Sequence, residues 1–269
     1  MIKFQKVSDQ SQIQELAKSF YQSLTFPLDG MWEAFYSFSN IHLIFYKEEK
    51  AGFLMLNSEN ELINFHIIPA FASKSDQVLK RALFIFNIQS GLVATNNPIF
   101  LSTSLDYPQE ISTHTFLFKD NGILLSNPKP PIPKTSIHQV KLSKLDIITG
   151  FCKVNTGAPE EWLYDYLKNL IERKEIFCIE KGGNPIATFE VRKSDSQAGI
   201  ADLGMIVDQN FRKKGLGSFA LESAKKECLS QDLIPICSCE AKNIASRKAI
   251  EKAGFFQVHR ILQFSFSPS

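Results

Sequence analysis

The segment Arg212-Lys-Lys-Gly-Leu-Gly-Ser218 sets three cations ahead of two glycines separated by a single residue. That composition suits a phosphate group. Glycine permits the torsions and close approaches that let successive backbone N–H groups converge on an anion, and at a helix start the macrodipole adds to the attraction. Two common nucleotide patterns do not apply. Gly217 is followed by Ser218, Phe219 and Ala220, so the third glycine of Gly-x-Gly-x-x-Gly is missing, and no Gly-x-x-x-x-Gly-Lys-Ser/Thr occurs.

The elements that must position this loop are legible on both sides. Upstream, Ile200 to Val207 reads as a buried strand; downstream, Leu216, Phe219, Ala220, Ala224 and Cys228 recur at helical spacing. A second block follows. Ile234-Pro-Ile-Cys-Ser-Cys-Glu240 reads as a strand running to Asn243, then a short helix and Gly254-Phe255. The two blocks, in this order and spacing, resemble the GNAT superfamily of acyl-CoA N-acyltransferases over roughly residues 135 to 264.

The resemblance implies roles for individual residues. Met205, Ile206 and Val207 match strand positions whose backbone pairs with the pantetheine arm of acetyl-CoA. Arg212, Lys213, Lys214, Gly215, Leu216, Gly217 and Ser218 match the pyrophosphate cradle, and Asn243 and Ser246 match contacts farther along the coenzyme. Plainer readings stand beside these: Met205 and Val207 also suit any buried strand, and Asn243 suits a helix cap. The implied reaction is direct transfer of an acetyl group from acetyl-CoA to a primary amine of a small-molecule or peptide acceptor in a ternary complex.

That chemistry needs a base more than an acid. An alkylammonium with pKa near 10.4 costs about 4.6 kcal/mol to deprotonate at pH 7, whereas a thiol with pKa near 8.5 costs only about 2 kcal/mol to expel as thiolate. The chain departs from the family at both usual positions. Ile250 stands where many members carry the acidic tyrosine, and Ala201 where they carry the basic glutamate. Asp202, Glu190 and Glu240 are the candidate catalytic carboxylates, with ordered water as another route. A one-residue offset sets Asp202 on the strand face opposite Ala201 unless a bulge intervenes. Glu160, Glu161 and Asp165 could face a cationic acceptor or simply solvate a helix start. A non-catalytic acyl-CoA-binding or sensor protein is the alternative function, and an interaction protein without ligand a third.

Composition bounds the rest. The chain has 269 residues, 44% of them hydrophobic, and a net charge of +2, so it can hold one large or two moderate domains with packed cores and has no general pull toward nucleic acid. No apolar run is long enough to span a membrane, and the N-terminus is no signal peptide, which implies a cytoplasmic protein. The five cysteines lack a Cys-x-x-Cys and the five histidines lack ligand spacing, so reduced buried thiols and no metal are expected.

Prolines at 128, 130, 131 and 133 suggest a stiff connector over 127–134, dividing a domain at 1–126 from one at 135–269. Before it, Ile13, Leu16, Ala17, Phe20, Tyr21 and Leu24 mark an amphipathic helix and strands fall near 41–46, 52–56 and 62–68; after it, Trp162, Leu163, Tyr166, Leu167, Leu170 and Ile171 mark the apolar stripe of another helix, and strands near 175–180 and 186–191 repeat that order. The expected fold is α+β, mixed α/β, with tandem GNAT-like domains, each a mixed, mostly antiparallel twisted sheet flanked by helices. Where the second half has its glycine loop, the first has Pro69 to Arg81 without a glycine, so it reads as a degenerate copy without coenzyme binding. Two such halves suit a monomer or a homodimer.

Overall fold

The structure, a computed structural model, describes residues 1–123 and 129–266. Residues 127 and 128 of the expected connector lie outside the described residues.

In the first half, β1 (Ile2–Lys6) leads to α1 (Gln14–Ser23) and α2 (Gly30–Phe38). Next come β2 (Asn40–Tyr46), β3 (Glu49–Leu56), β4 (Leu62–Ile67), α3 (Ser75–Ile85), β5 (Ser90–Ala94), α4 (Pro98–Ser104) and β6 (Pro108–Asp120). The second half runs through β7 (Thr135–Gln139), α5 (Leu145–Thr156), α6 (Glu160–Glu172), β8 (Ile176–Lys181), β9 (Asn184–Lys193), β10 (Ile200–Val207), α7 (Leu216–Leu229), β11 (Ile234–Glu240), α8 (Ile244–Lys252) and β12 (Phe255–Phe266). The two series are identical in order, and even the short 3₁₀ turns before α1 and α5, and before α3 and α7, recur in place. The chain is a tandem duplication of one mixed α/β plan.

Two compact units result. The first holds Met1–Leu117, Glu240–Lys242 and Val258–Ser269; the second holds Phe118–Cys239 and Asn243–Gln257. These units differ from a division at the proline-rich segment, because the C-terminal part of β12 packs in the first unit. There it pairs antiparallel with β5, from Ile261 opposite Ala94 to Ser265 opposite Ser90.

In the first unit β1, β2, β3 and β4 pair antiparallel in sequence, and β4 meets β5 in parallel at Leu62 and Gly91. Helices α3 and α4 cover one side with Val78, Leu79, Ala82, Leu83 and Phe100, while Leu16, Phe20 and Trp32 of α1 and α2 pack in a second cluster with Leu43, Phe53 and Ile63. The central strands β3 and β4 therefore bury both faces and are nearly unbroken buried runs.

In the second unit β7, β8, β9 and β10 pair antiparallel in turn. The register between β9 and β10 runs one for one from Ala201 opposite Lys193 to Val207 opposite Ala187. Alternation then fixes the two faces: Asp202, Gly204 and Ile206 share one side with Thr188, Glu190 and Arg192, and Ala201, Leu203, Met205 and Val207 take the other. Ile206 packs with Leu163, Leu167, Leu170 and Tyr166 of α6, so the Asp202 side is the one that α5 and α6 cover. Helix α6 stands where it does because Pro159 precedes its first turn, Glu160 and Glu161 favour its dipole, and Leu163, Leu167, Leu170 and Ile171 form one buried stripe.

Candidate active site

The site begins with two strands that part. β10 pairs in parallel with β11 over Ile200, Ala201 and Asp202, opposite Ile234, Pro235 and Ile236, and no further pair between them occurs among the described residues. β10 nonetheless continues to Val207 with its other edge bonded to β9. From Leu203 onward, backbone groups pointing away from β9 therefore have no strand partner, and an extended amide chain can add there as a strand would.

The loop beyond β10 ends this slot. A 3₁₀ turn over Gln209–Phe211 is capped by Asp208, whose carboxylate accepts from Asn210 N at 2.8 Å. Lys213 and Gly215 then both take left-handed torsions, φ +60° and +80°. This turns the chain into α7, whose N-terminus carries no side-chain cap and no acidic residue in its first turn. Ser218 does not supply a cap; its hydroxyl donates backward to Gly215 O at 3.0 Å. The first helical N–H groups are thus presented at an uncapped positive dipole end. Gly217 lets α7 pack closely on α8: a Cβ there would lie 3.3 Å from Ala249 Cβ, tight enough that α8 must give by a few tenths of an ångström, and in ordinary contact with Met205 Cε at 3.6 Å.

The three cations of the loop are used unequally. Arg212 donates from Nε to Val207 O at 3.2 Å and from its terminal nitrogen to Asn155 O at 2.8 Å, so it ties the loop to the ends of β10 and α5. Lys214 donates to Asn210 O at 2.8 Å and lies over the Phe211 ring. Lys213 extends into solvent at the surface. Asn243 caps α8, with its side-chain oxygen accepting from Ser246 N at 3.1 Å. Ile250 is buried, 3% exposed, and offers no proton; Ala201 is fully buried.

The candidate carboxylates separate. Asp202 and Glu190 come together on the α6 side, both buried, with Arg192 between them: its terminal nitrogen donates to Asp202 Oδ2 at 2.5 Å and its Nε lies 3.4 Å from Glu190 Oε2. The phenol of Tyr166 donates to the same Glu190 oxygen at 2.7 Å. Burial first, and the neighbouring Glu190 charge second, push the Tyr166 phenol well above its usual range. Trp162 stacks flat on Tyr166, centroids 4.9 Å apart, and is itself 43% exposed. Glu240 belongs to the other compact unit, where it pairs with Lys242 at 2.9 Å. Glu160 pairs with Lys153 at 2.5 Å, while Glu161 and Asp165 are exposed. Tyr166 and Arg192 are members of this network that sequence reading does not single out; Tyr166 reads there only as part of an apolar helical stripe.

Comparison with known proteins finds a family match in each half of the chain. The family model described as "Acetyltransferase (GNAT) domain" matches residues 9–121, and that described as "Acetyltransferase (GNAT) family" matches 146–255. None of the curated proteins matches the chain at significant similarity. Among solved structures, an acetyltransferase from the GNAT family of Colwellia psychrerythraea is 30% identical, with a TM-score of 0.92 over 98% of this chain and 100% of its own. A GCN5-related N-acetyltransferase from Sphaerobacter thermophilus shares 10% identity at TM-score 0.68, over 97% of this chain and 94% of its own. A tandem GNAT protein from the clavulanic acid biosynthesis pathway shares 11% identity at TM-score 0.62, covering all of both chains. The last two are likenesses of fold.

Proposed function

The chain belongs to the GNAT acetyltransferase family, and from that premise we propose that it is an acetyl-CoA-dependent N-acetyltransferase acting on a primary amine of a small molecule or peptide. The observation that carries the reading is the parting of β10 from β11 above an uncapped, glycine-turned helix start in the second unit. The pantetheine arm lies along the open edge of Met205, Ile206 and Val207, and the pyrophosphate meets the N–H groups of Gly215, Leu216, Gly217 and Ser218. Lys213 and Lys214 supply positive charge, and Arg212 holds the loop in shape. Asn243 and Ser246 sit at the start of α8, beside the coenzyme's outer arm.

In the transfer, the amine nitrogen attacks the thioester carbonyl carbon, the carbon–sulfur bond breaks, and the thiolate leaves as coenzyme A. The ammonium proton must go first. Of the three carboxylates, Glu190 fits best, because Tyr166 donates to it and connects it to the α6 side where Trp162 is exposed, while the shared Arg192 lies closer to Asp202, 2.5 Å against 3.4 Å for Glu190, and Glu240 pairs with Lys242. We assign Glu190 as the base and Tyr166 as its positioning partner. Glu190→Gln is expected to lower kcat by about 10–100-fold without changing acetyl-CoA affinity, and Tyr166→Phe by about 10-fold with a displaced pH profile. Unchanged kcat in Glu190→Gln would pass proton removal to water.

The buried Ile250 and Ala201 favour one competing reading, a protein that binds acyl-CoA without turning it over. Thiol release from acetyl-CoA across an amine panel decides between them. Release with any amine supports the enzyme; tight coenzyme binding with no release across the panel supports the sensor.

A further inference from the structure

A second chemical grouping lies in the second unit, on the paired strands β7 and β8. β7 and β8 pair antiparallel with His138 directly opposite Cys178, and Glu180, two residues on, stands on the same face. His138 Nε2 is 3.3 Å from Glu180 Oε1, and with the Cys178 thiol the three ligand atoms all lie within 4.8 Å of one another. We propose that His138, Cys178 and Glu180 bind a zinc-class divalent ion.

The argument is geometric. A tetrahedral zinc with nitrogen and oxygen bonds of ~2.0–2.1 Å holds those two ligands about 3.3–3.4 Å apart, and a thiolate at ~2.3 Å lies about 3.6 Å from the nitrogen. The imidazole and carboxylate are already at that spacing. The thiol, within 4.8 Å of both, needs to close by at most about 1.2 Å to reach that spacing, within reach of a χ1 adjustment. Access is also suitable: Cys178 is buried while the His138 side chain is 40% exposed, so an ion enters from the solvent side and keeps water as its fourth ligand. Lys144 acts electrostatically on Cys178 and opposes a cation. Thiolate bonding must therefore carry the affinity, which selects Zn²⁺ or Co²⁺ over Mg²⁺ or Ca²⁺. Held this way, the ion would clip β7 to β8.

Cobalt(II) titration of the reduced, full-length protein tests the site directly. The expected result is a thiolate-to-cobalt charge-transfer band that saturates at one equivalent, is displaced by Zn²⁺, and is lost in Cys178→Ser. His138→Gln should weaken Co²⁺ binding by at least ~10-fold. Cys152 is close enough to Cys178 to act on it, so Cys152→Ser is the control and should leave the band unchanged. No band in the parent protein overturns the site, as does a band that survives Cys178→Ser or disappears in Cys152→Ser. If Cys178→Ser does not fold, His138→Gln and Glu180→Gln decide, and full-affinity binding in both overturns the proposal.

Discussion

The two turns that lead from β4 into α3 and from β10 into α7 occupy equivalent places in a duplicated plan, yet they have opposite chemistry. In the first unit a 3₁₀ helix over Pro69–Lys74 runs straight into α3, with Phe71 N donating to Ile68 O and Ser75 N to Ala72 O. Its backbone donors are consumed internally. Asp76 adds a carboxylate to the first turn of α3, and Tyr107 donates to that carboxylate. In the second unit two left-handed residues open the turn, no side chain caps α7, and no acidic residue enters its first turn. What distinguishes the two turns is thus confined to six or so residues rather than to the fold that carries them.

The helices behind these turns differ as well, and that difference should give the largest effect. The buried side of α3 is aliphatic, Val78, Leu79, Ala82 and Leu83, whereas α7 buries Lys225, 2% exposed, against Asp120 and the carbonyl of Ile123 at 2.7 Å. Lys225→Ala leaves Asp120 without its partner and is expected to cost about 3–5 kcal/mol in urea unfolding. A loss under about 1 kcal/mol would show that Asp120 is satisfied by solvent.

Acid should single out the first unit. His66 is buried and its pKa is lowered to about 4 by burial. Because the folded value lies below the unfolded value near 6.5, the neutral form is favoured on folding. Stability is therefore full above pH 6.5 and falls by about 3 kcal/mol as pH drops to 4. His66→Asn should flatten that slope in melts taken across the same range, and an unaltered slope would remove His66 as its cause.

The turns themselves come next. Gly215→Asp with Gly217→Asp should weaken acetyl-CoA binding by roughly 100-fold, about 2.7 kcal/mol, through like charge, backbone strain and the crowding of Ala249. Calorimetric titration measures it. The matching change in the first unit, Ser73→Asp, should leave affinity within about two-fold. Equal losses from both would mean that the two turns are not functionally distinct.

Much of this contrast is legible in the residues alone. The strand at Ile200–Val207 and the helix beginning at Leu216 fall where hydrophobic period and the glycine pair put them. The helix near 162–171 is real, but Trp162, read as part of its apolar stripe, lies at the margin of that stripe, where one ring face stacks on Tyr166 and 43% of the residue stays exposed. Asn97 caps α4 as Asn243 caps α8, and the Asn-Pro pair at 97–98 was the available signal for it. Hidden from the sequence are properties of register. Nothing in spacing along the chain brings His138 to Cys178, forty positions apart, or aims Tyr166 at Glu190. Those meetings depend on which strands pair and which helix crosses them.

The pairing of β12 with β5 has a consequence for how the chain is made. Ala94 finds Ile261, 167 positions later, so a ribosome must deliver most of the second half before the edge of β5 is closed. During synthesis the first half waits with Gly91, Leu92 and Val93 offering free ladder bonds, the condition under which neighbouring nascent chains join edge to edge. A chain shortened before Val258 would be trapped in that waiting state. Its fate would be to aggregate through its N-terminal half while its glycine loop remained intact.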